Sequence, residues 1–296
     1  MKANTNDIIF DSIKYLLLIL MVLVTLLPFI NILAVSLNEP MDTIKGEIGL
    51  WPRVFSLRNY ADIFEDSNMW IYTLNSVGRT VIAGFLHIFC NAMVAYTLSR
   101  KKYVLRIPIT FMYLLTMYIN VGLIPEYFLI TNLGLIGTFN VYWIPGITTA
   151  WNIIILRTYI KGLPDSLIES AQMEGANEFY IFIRIILPLC APVMATLILF
   201  TMVWHWNWWF DTFLYNSENP DLSTLQYELM RKINSAGAAR AGSALDNVYS
   251  ARVEGDVTPR SLRAAMTIIV SAPIIMVYPF LQRYFVRGVM IGAIKG

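Results

Sequence analysis

The chain has 296 residues, of which 57% are hydrophobic and 14% charged; an average soluble domain carries about 45–50% apolar and about 25% charged residues. That much apolar surface cannot be hidden in one water-soluble core of this length, so an ordinary soluble globule is excluded and lipid is the expected solvent. A net charge of +2 says nothing about nucleic acid, but with no basic cluster beyond Arg100-Lys101-Lys102 no nucleic-acid partner is expected, and two histidines and two cysteines without ligand spacing leave no metal framework.

In chain order, the apolar run that follows Lys14 predicts a first span over about 13–36. Ala34-Val35-Ser36 faintly resembles a cleavage site, but the run exceeds the 7–15 residues of a signal-peptide core, so a retained helix is expected, kinked at Pro28. A second span is expected over about 71–98, between Trp70 and Arg100-Lys101-Lys102, a third over about 107–128 and a fourth over about 138–157. Gly122-Leu123-Ile124-Pro125 and Pro145-Gly146 interrupt the third and fourth, as in broken helices that line a cavity. A fifth span over 187–209 and a sixth over 263–282 complete an all-α membrane fold of six helices. Cys90 and Cys190 fall in apolar runs and are expected as small buried hydrophobes.

Lys and Arg concentrate at one side: Lys2, Lys14, Arg100, Lys101, Lys102, Arg106, Arg157, Lys161, Arg184, Arg283, Arg287 and Lys295 all fall on short segments that are inner if the N-terminus is inner. Both termini are therefore expected in the cytoplasm. The outer loops are then about 37–70, 129–137 and 210–262, and the inner loops about 99–106 and 158–186. The chain divides into an N-terminal helix with its loop (1–70), a core (71–283) and a cytoplasmic tail (284–296). The run of Gly, Ala, Ser and Asn from Asn234 to Asn247 predicts an irregular, partly mobile loop.

The second inner loop is more than a connector. Pro164 sets a turn, Asp165 or Ser166 can cap a short helix through Glu169, Ala171 and Met173, and Gly175 can end it in a left-handed conformation. A second helix is expected from Asn177 into the fifth span. Two short helices joined at a glycine make a rigid knuckle. Ala171 is small enough to let a partner approach, and Glu169 and Glu174 offer it charge.

The order Glu169, Ala171, Gly175, Ile185, Leu187, Pro188 resembles the "EAA" signature of binding-protein-dependent ABC importer permeases: Glu-Ala-Ala, Gly four residues on, then Ile-x-Leu-Pro. Ser170 replaces the first alanine and is nearly as small. Trp51-Pro52 to Asn59-Tyr60, Gly122 to Pro125, Trp206-Asn207 and the ending from Tyr278 to Gly296 resemble the carbohydrate branch of that family, which includes the smaller maltose-type permease. Within that branch the chain looks most like permeases for complex oligosaccharides.

This resemblance implies a type I importer fold in the bacterial inner membrane, a second homologous permease, two ATPase subunits that carry ATP and Mg, and an extracellular or periplasmic solute-binding protein. It implies that residues 163–188 seat in an ATPase cleft through Glu169, Ser170, Ala171, Glu174, Gly175, Leu187 and Pro188, with Glu169 forming a salt bridge. It further implies that the tail (Gly292, Lys295, Gly296) enters the ATPase dimer interface, and that Tyr227, Arg231, Tyr249 and Arg252 meet the binding protein. The chain itself is expected to be no enzyme and to hold no cofactor.

A sugar path needs aromatic faces and hydroxyl partners. Trp204-His205-Trp206-Asn207-Trp208-Trp209 supplies them, although tryptophan also collects at membrane interfaces for its amphipathic ring alone. Helical spacing puts Trp204 and Trp208 on one face, with Asn207 or His205 to bond hydroxyls. Polar groups at membrane depth mark interior surfaces; Asn75, His87, Asn91, Glu126, Tyr127 and Asn152 qualify, and Tyr118 and Asn120 beside the Gly122 break are the expected path residues. His87 is expected as a hydrogen-bonded packing residue and Arg79 as snorkelling to the outer interface. No Gly-x-x-x-x-Gly-Lys-Ser/Thr loop is present, so ATP cannot be cradled here. The lack of a carboxylate ladder argues against a secondary transporter, which remains the rival reading beside an importer of a non-sugar solute.

Overall fold

A computed structural model describes residues 5–65, 68–119, 121–240 and 258–293. The described residues contain no strand beyond one antiparallel bridge, Asn38 to Phe55. The chain forms two compact units: residues 1–69 with 229–273, and residues 70–228 with 274–296.

In the first unit, α1 (Thr5–Ser36) is one 32-residue helix with Pro28 inside it. The loop after it is tightly built. Glu39 caps α2 (Pro40–Ile44) by accepting from the Asp42 backbone N–H at 2.6 Å, with Pro40 in the first turn where its missing donor costs nothing. Asn38 is buried; its Oδ1 accepts from the backbone of Arg53 (2.7 Å) and Val54 (3.0 Å). The Arg53 guanidinium donates to Asp42 at 2.8 Å and, with Asn38, holds that carboxyl below its ordinary range. Asn31 on α1 donates to the carbonyls of Ile48 (2.7 Å) and Gly49 (2.8 Å), drawing the loop back beside the helix, where Ile48 packs with Ala34, Val35 and Ala264. Helix α3 (Arg58–Glu65) is fastened by Asn59, whose amide donates to the carbonyls of Ser36 and Asn38, both at 2.9 Å.

The second unit is organised on α4 (Met69–Ser99). Its apolar residues Ile88, Ala92 and Ala95 recur at helical spacing, and they pack with Ile153 and Leu156 of α7 (Ala150–Lys161) and Leu197 of α11 (Ala191–Asn207). Small residues let these helices close up: a Cβ on Gly84 would lie 2.5 Å from Cγ of Met202. The expected third span is two helices, α5 (Arg106–Tyr118) and α6 (Leu123–Asn132), parted at Gly122, whose φ of 83° is open to glycine and strained for other residues. The expected fourth span is a 3-10 turn (Phe139–Tyr142), a loop turning at Gly146, and α7.

Among the described residues, three helices are long and apolar enough to cross a membrane: Phe10–Ser36, Met69–Ser99 and Arg260–Val277. A fourth crossing results if Glu178–Leu189 and Ala191–Asn207, bent by 80°, are taken together. Neither α5 with 13 residues nor α7 with 12 reaches the ~20 residues a straight crossing needs.

Two expectations need correction. The 210–262 segment is not a plain loop: it holds α12 (Phe210–Tyr215) and α13 (Leu225–Arg240), and the helix runs through the Gly/Ala stretch to Arg240 because alanine is the strongest helix former. The last helix, α14 (Pro259–Ala293), begins before the expected sixth span and passes its expected end by 11 residues, so Gly292 lies in a helical turn. Cys90 is half-buried, Cys190 is buried, and both are free thiols.

Candidate functional site

The knuckle is built from local signals. Helix α8 (Asp165–Met173) starts after Pro164, the residue at its N-cap, and Asp165 is the first residue inside it rather than a side-chain cap. Its end closes with two backbone bonds, Gly175 N–H to Gln172 O (3.0 Å) and Ala176 N–H to Ala171 O (3.0 Å), which require Gly175 at its φ of 83°. Asn177 then caps α9 (Glu178–Ile181) by accepting from the Tyr180 N–H at 2.8 Å. The helix continues through a π segment (Phe182–Ile186) and α10 (Leu187–Leu189) before the 80° bend. Pro192 removes the donor that would bond Pro188 O, and its ring crowds that carbonyl, so the helix breaks there. The expected fifth span thus begins at Ala191, and Leu187 and Pro188 belong to the limb before the bend.

A nine-residue helix is marginal alone and is held here by packing. Ile168 and Ala171 turn inward against α4, α7 and the bent helix. Ala171 is 8% exposed, its small side chain packed among this chain's own helices. Glu169, Ser170, Glu174 and Gly175 are exposed, as are the apolar Met173 (89%), Phe179 and Tyr180; Leu187 is half-buried and Pro188 exposed.

Three polar ties fix the knuckle. Lys101 in the loop after α4 donates to Asp165 at 2.9 Å, and this bond holds the Asp165 carboxyl below its ordinary range. Gln172 donates to Oε1 of Glu178 at 2.8 Å, and the Tyr96 hydroxyl on α4 donates to Oε2 of the same carboxylate. Sequence reasoning missed Glu178, Lys101 and the exposed Met173. For Glu178 a usable signal existed: it stands six residues after Gln172, across the glycine, where a helix–turn–helix brings side chains together.

At the other end of α4, Arg79 is only 1% exposed. It does not snorkel. Its two terminal nitrogens meet Asp211 at 3.1 and 2.6 Å, Nη1 also donates to Trp208 O at 3.0 Å, and the guanidinium lies 4.7 Å from the Tyr142 ring centre. A buried cation must be paired, and Asp211 supplies the charge from α12, which sequence could not place beside it. Trp204 and Trp208 stack on each other with centres 4.7 Å apart, both exposed, while Trp206 is buried. His205 is buried edge-on to His87 at 5.0 Å, so it is a packing group and not a hydroxyl partner. His87 donates to Trp143 O at 2.7 Å. Asn207 is exposed and bonds Val203 O at 2.8 Å. Tyr118 is exposed at the end of α5, and Tyr127 stacks on Tyr215 at 5.9 Å. Tyr227 is half-buried and Arg231 exposed on α13. Asn120, Tyr249, Arg252, Lys295 and Gly296 lie outside the described residues.

Comparison with known proteins follows this geometry. The chain is 32% identical over 289 residues, 97% of its own length and 99% of the relative's, to the polygalacturonan/rhamnogalacturonan transport system permease protein YtcP of Bacillus subtilis (strain 168). It is 26% identical over 281 residues, 92% of each chain, to the arabinooligosaccharides transport system permease protein AraQ of Halalkalibacterium halodurans. Its fold matches a chain from the crystal structure of a bacterial ABC transporter involved in import of the acidic polysaccharide alginate, with a TM-score of 0.85, 25% identity, and coverage of 96% of this chain and 99% of that one. With residues 88–291 matched by the family model, the chain belongs to the family of binding-protein-dependent transport system inner membrane components.

Proposed function

We propose that this chain is a membrane-spanning permease subunit of an ATP-driven importer of a complex oligosaccharide. It crosses the inner membrane six times with both termini cytoplasmic, pairs with a second permease, and receives sugar from a binding protein on the outer side. The single observation that carries the reading is the knuckle at residues 164–190: its inner face is locked into the core while Glu169, Glu174 and Met173 stand outward, a shape suited to being gripped and moved. Two ATPase subunits that bind ATP and Mg would close on this knuckle and its counterpart, and the broken α5–α6 segment gives the cavity between the permeases a hinge-like wall. The transport names of the relatives, all of them saccharide systems among those described above, support the sugar class.

The test is reconstitution of the purified complex in proteoliposomes. Uptake of oligogalacturonides, alginate oligomers and arabino-oligosaccharides is measured with and without ATP and with and without the binding protein. Uptake of at least one class should need both. Loss of a buried interfacial charge pair costs about 2–5 kcal/mol, so Glu169→Lys should release the ATPase or abolish its stimulation. ATP-independent uptake, or full stimulation in Glu169→Lys, would overturn the reading.

A further inference from the structure

We propose that Glu178 is the joint that gears the coupling knuckle to α4, so that displacement of α8 reaches the outer end of the membrane path along one rigid helix. This rests on the importer reading above and assigns a positioning residue within it. Glu178 stands just past the Gly175 turn, and each of its oxygens is engaged by a different element: Gln172 of α8 on Oε1 and Tyr96 of α4 on Oε2. The polar path from the last turn of α8 to α4 therefore passes through this one carboxylate. The other tie, Lys101 to Asp165, joins the first turn of α8 to the loop after α4 and not to α4 itself, and both its side chains are exposed.

Helix α4 is fitted to carry a displacement onward. Its 31 residues extend over roughly 46 Å at 1.5 Å per residue. From Tyr96 outward it bears Asn91, which accepts from the Thr149 N–H at 2.8 Å; His87, bonded to Trp143 O; Arg79, paired with Asp211 and bonded to Trp208 O; and Ser76, which accepts from the Leu225 N–H at 2.9 Å. A rotation or slide of α4 must therefore move or break fixed partners beside the Trp204–Trp208 stack. These contacts are discrete hydrogen bonds, so they have two states, made or remade, which is what transmission over such a distance needs.

The test uses the complete transporter in lipid nanodiscs, with Cys90→Ser and Cys190→Ala and a bimane label on Asn207→Cys, one residue from Trp208. The probe is ATP with vanadate, so no sugar is needed. The parent complex should show a bimane emission shift on trapping. Glu178→Ala should shrink that shift by at least ~fivefold, the lower end of ordinary coupling energies. Glu178→Gln should keep it, since its carbonyl accepts from Tyr96 and Gln172 can turn its own oxygen to the new amide. Tyr96→Phe should give an intermediate loss, and adding it to Glu178→Ala should cost nothing more. A full shift in Glu178→Ala, or losses from Tyr96→Phe and Glu178→Ala that add independently, overturns the joint. If Glu178→Ala fails to hold its ATPase on purification, Gln172→Ala and Tyr96→Phe decide: full shifts in both overturn the proposal as well. Absence of any shift in the parent overturns the importer reading and this inference with it.

Discussion

Arg79 and Asp211 offer the sharpest energetic test of the packing at the N-terminal half of α4. The guanidinium is 1% exposed and its partner carboxylate side chain 13% exposed. Removing one member of a buried pair costs about 3–5 kcal/mol, because the survivor is left charged and without its counter-ion. Asp211→Ala leaves Arg79 the Trp208 carbonyl and the Tyr142 ring; a desolvated cation–π contact is worth about 2 kcal/mol, which is already present in the parent and softens the loss only if the arginine settles further onto the ring. The expected cost of either single substitution is therefore near the low end, about 3 kcal/mol, on the order of a hundredfold in the folded-to-unfolded ratio. The double variant Arg79→Met/Asp211→Leu removes both charges and fills the space, so it should lie at least about 2 kcal/mol above the sum of the singles. Reversible unfolding in mixed micelles, followed by tryptophan fluorescence, measures all four corners of the cycle. Singles within about 0.5 kcal/mol of the parent, or a strictly additive double, would refute the claim that the pair is buried and mutually dependent.

Three further outcomes follow from the geometry. Gly175→Ala places a Cβ in a left-handed conformation and should cost about 1–2 kcal/mol, with Gly175→Asn milder; hydrogen exchange of the α8 amides reads the difference. Gly84→Val should overpack α4 against Met202 and cost about 1–3 kcal/mol, with partial recovery in Gly84→Val/Met202→Ala by the same unfolding assay; no recovery would mean that α4 and α11 do not touch there. The Asp165 carboxyl is lowered by its bond from Lys101, so that tie is fully present above the ordinary carboxyl pKa of about 4 and is lost as pH falls through the lowered value; protection of the first turn of α8 should follow that course and lose its pH dependence in Lys101→Met.

What could be read from sequence were features written within a few residues of each other. Pro164, Gly175 and Asn177 each constrain their own backbone, so the turn, the left-handed stop and the start of the second helix stand where spacing put them, while neither Asp165 nor Ser166 caps α8. The break at Gly122 and the shared face of Trp204 and Trp208 are equally local. The burial of Ala171 was not legible, because a small residue serves close approach from either side and only tertiary packing decides which. Arg79 misled for a related reason: a long cation near a helix end ordinarily reaches for water, and its partner Asp211 lies 132 residues away. The 80° bend did have a signal, Pro188 followed four residues later by Pro192, in a stretch whose continuous apolarity disguised it.

Helix α1 remains to be placed in this account. Over Phe10–Ser36 none of its most apolar window is covered by the other described residues, and its anchorage comes at its C-terminal foot, where Asn31, Ala34, Val35 and Ser36 meet the folded loop. A rod clamped at one end and bare along its shaft is stable only in an oily surrounding, and its tilt is decided by whatever neighbours that surrounding offers. Lateral pressure in the bilayer, or a companion subunit leaning on the shaft, would thus be felt first by the loop clamped at its foot.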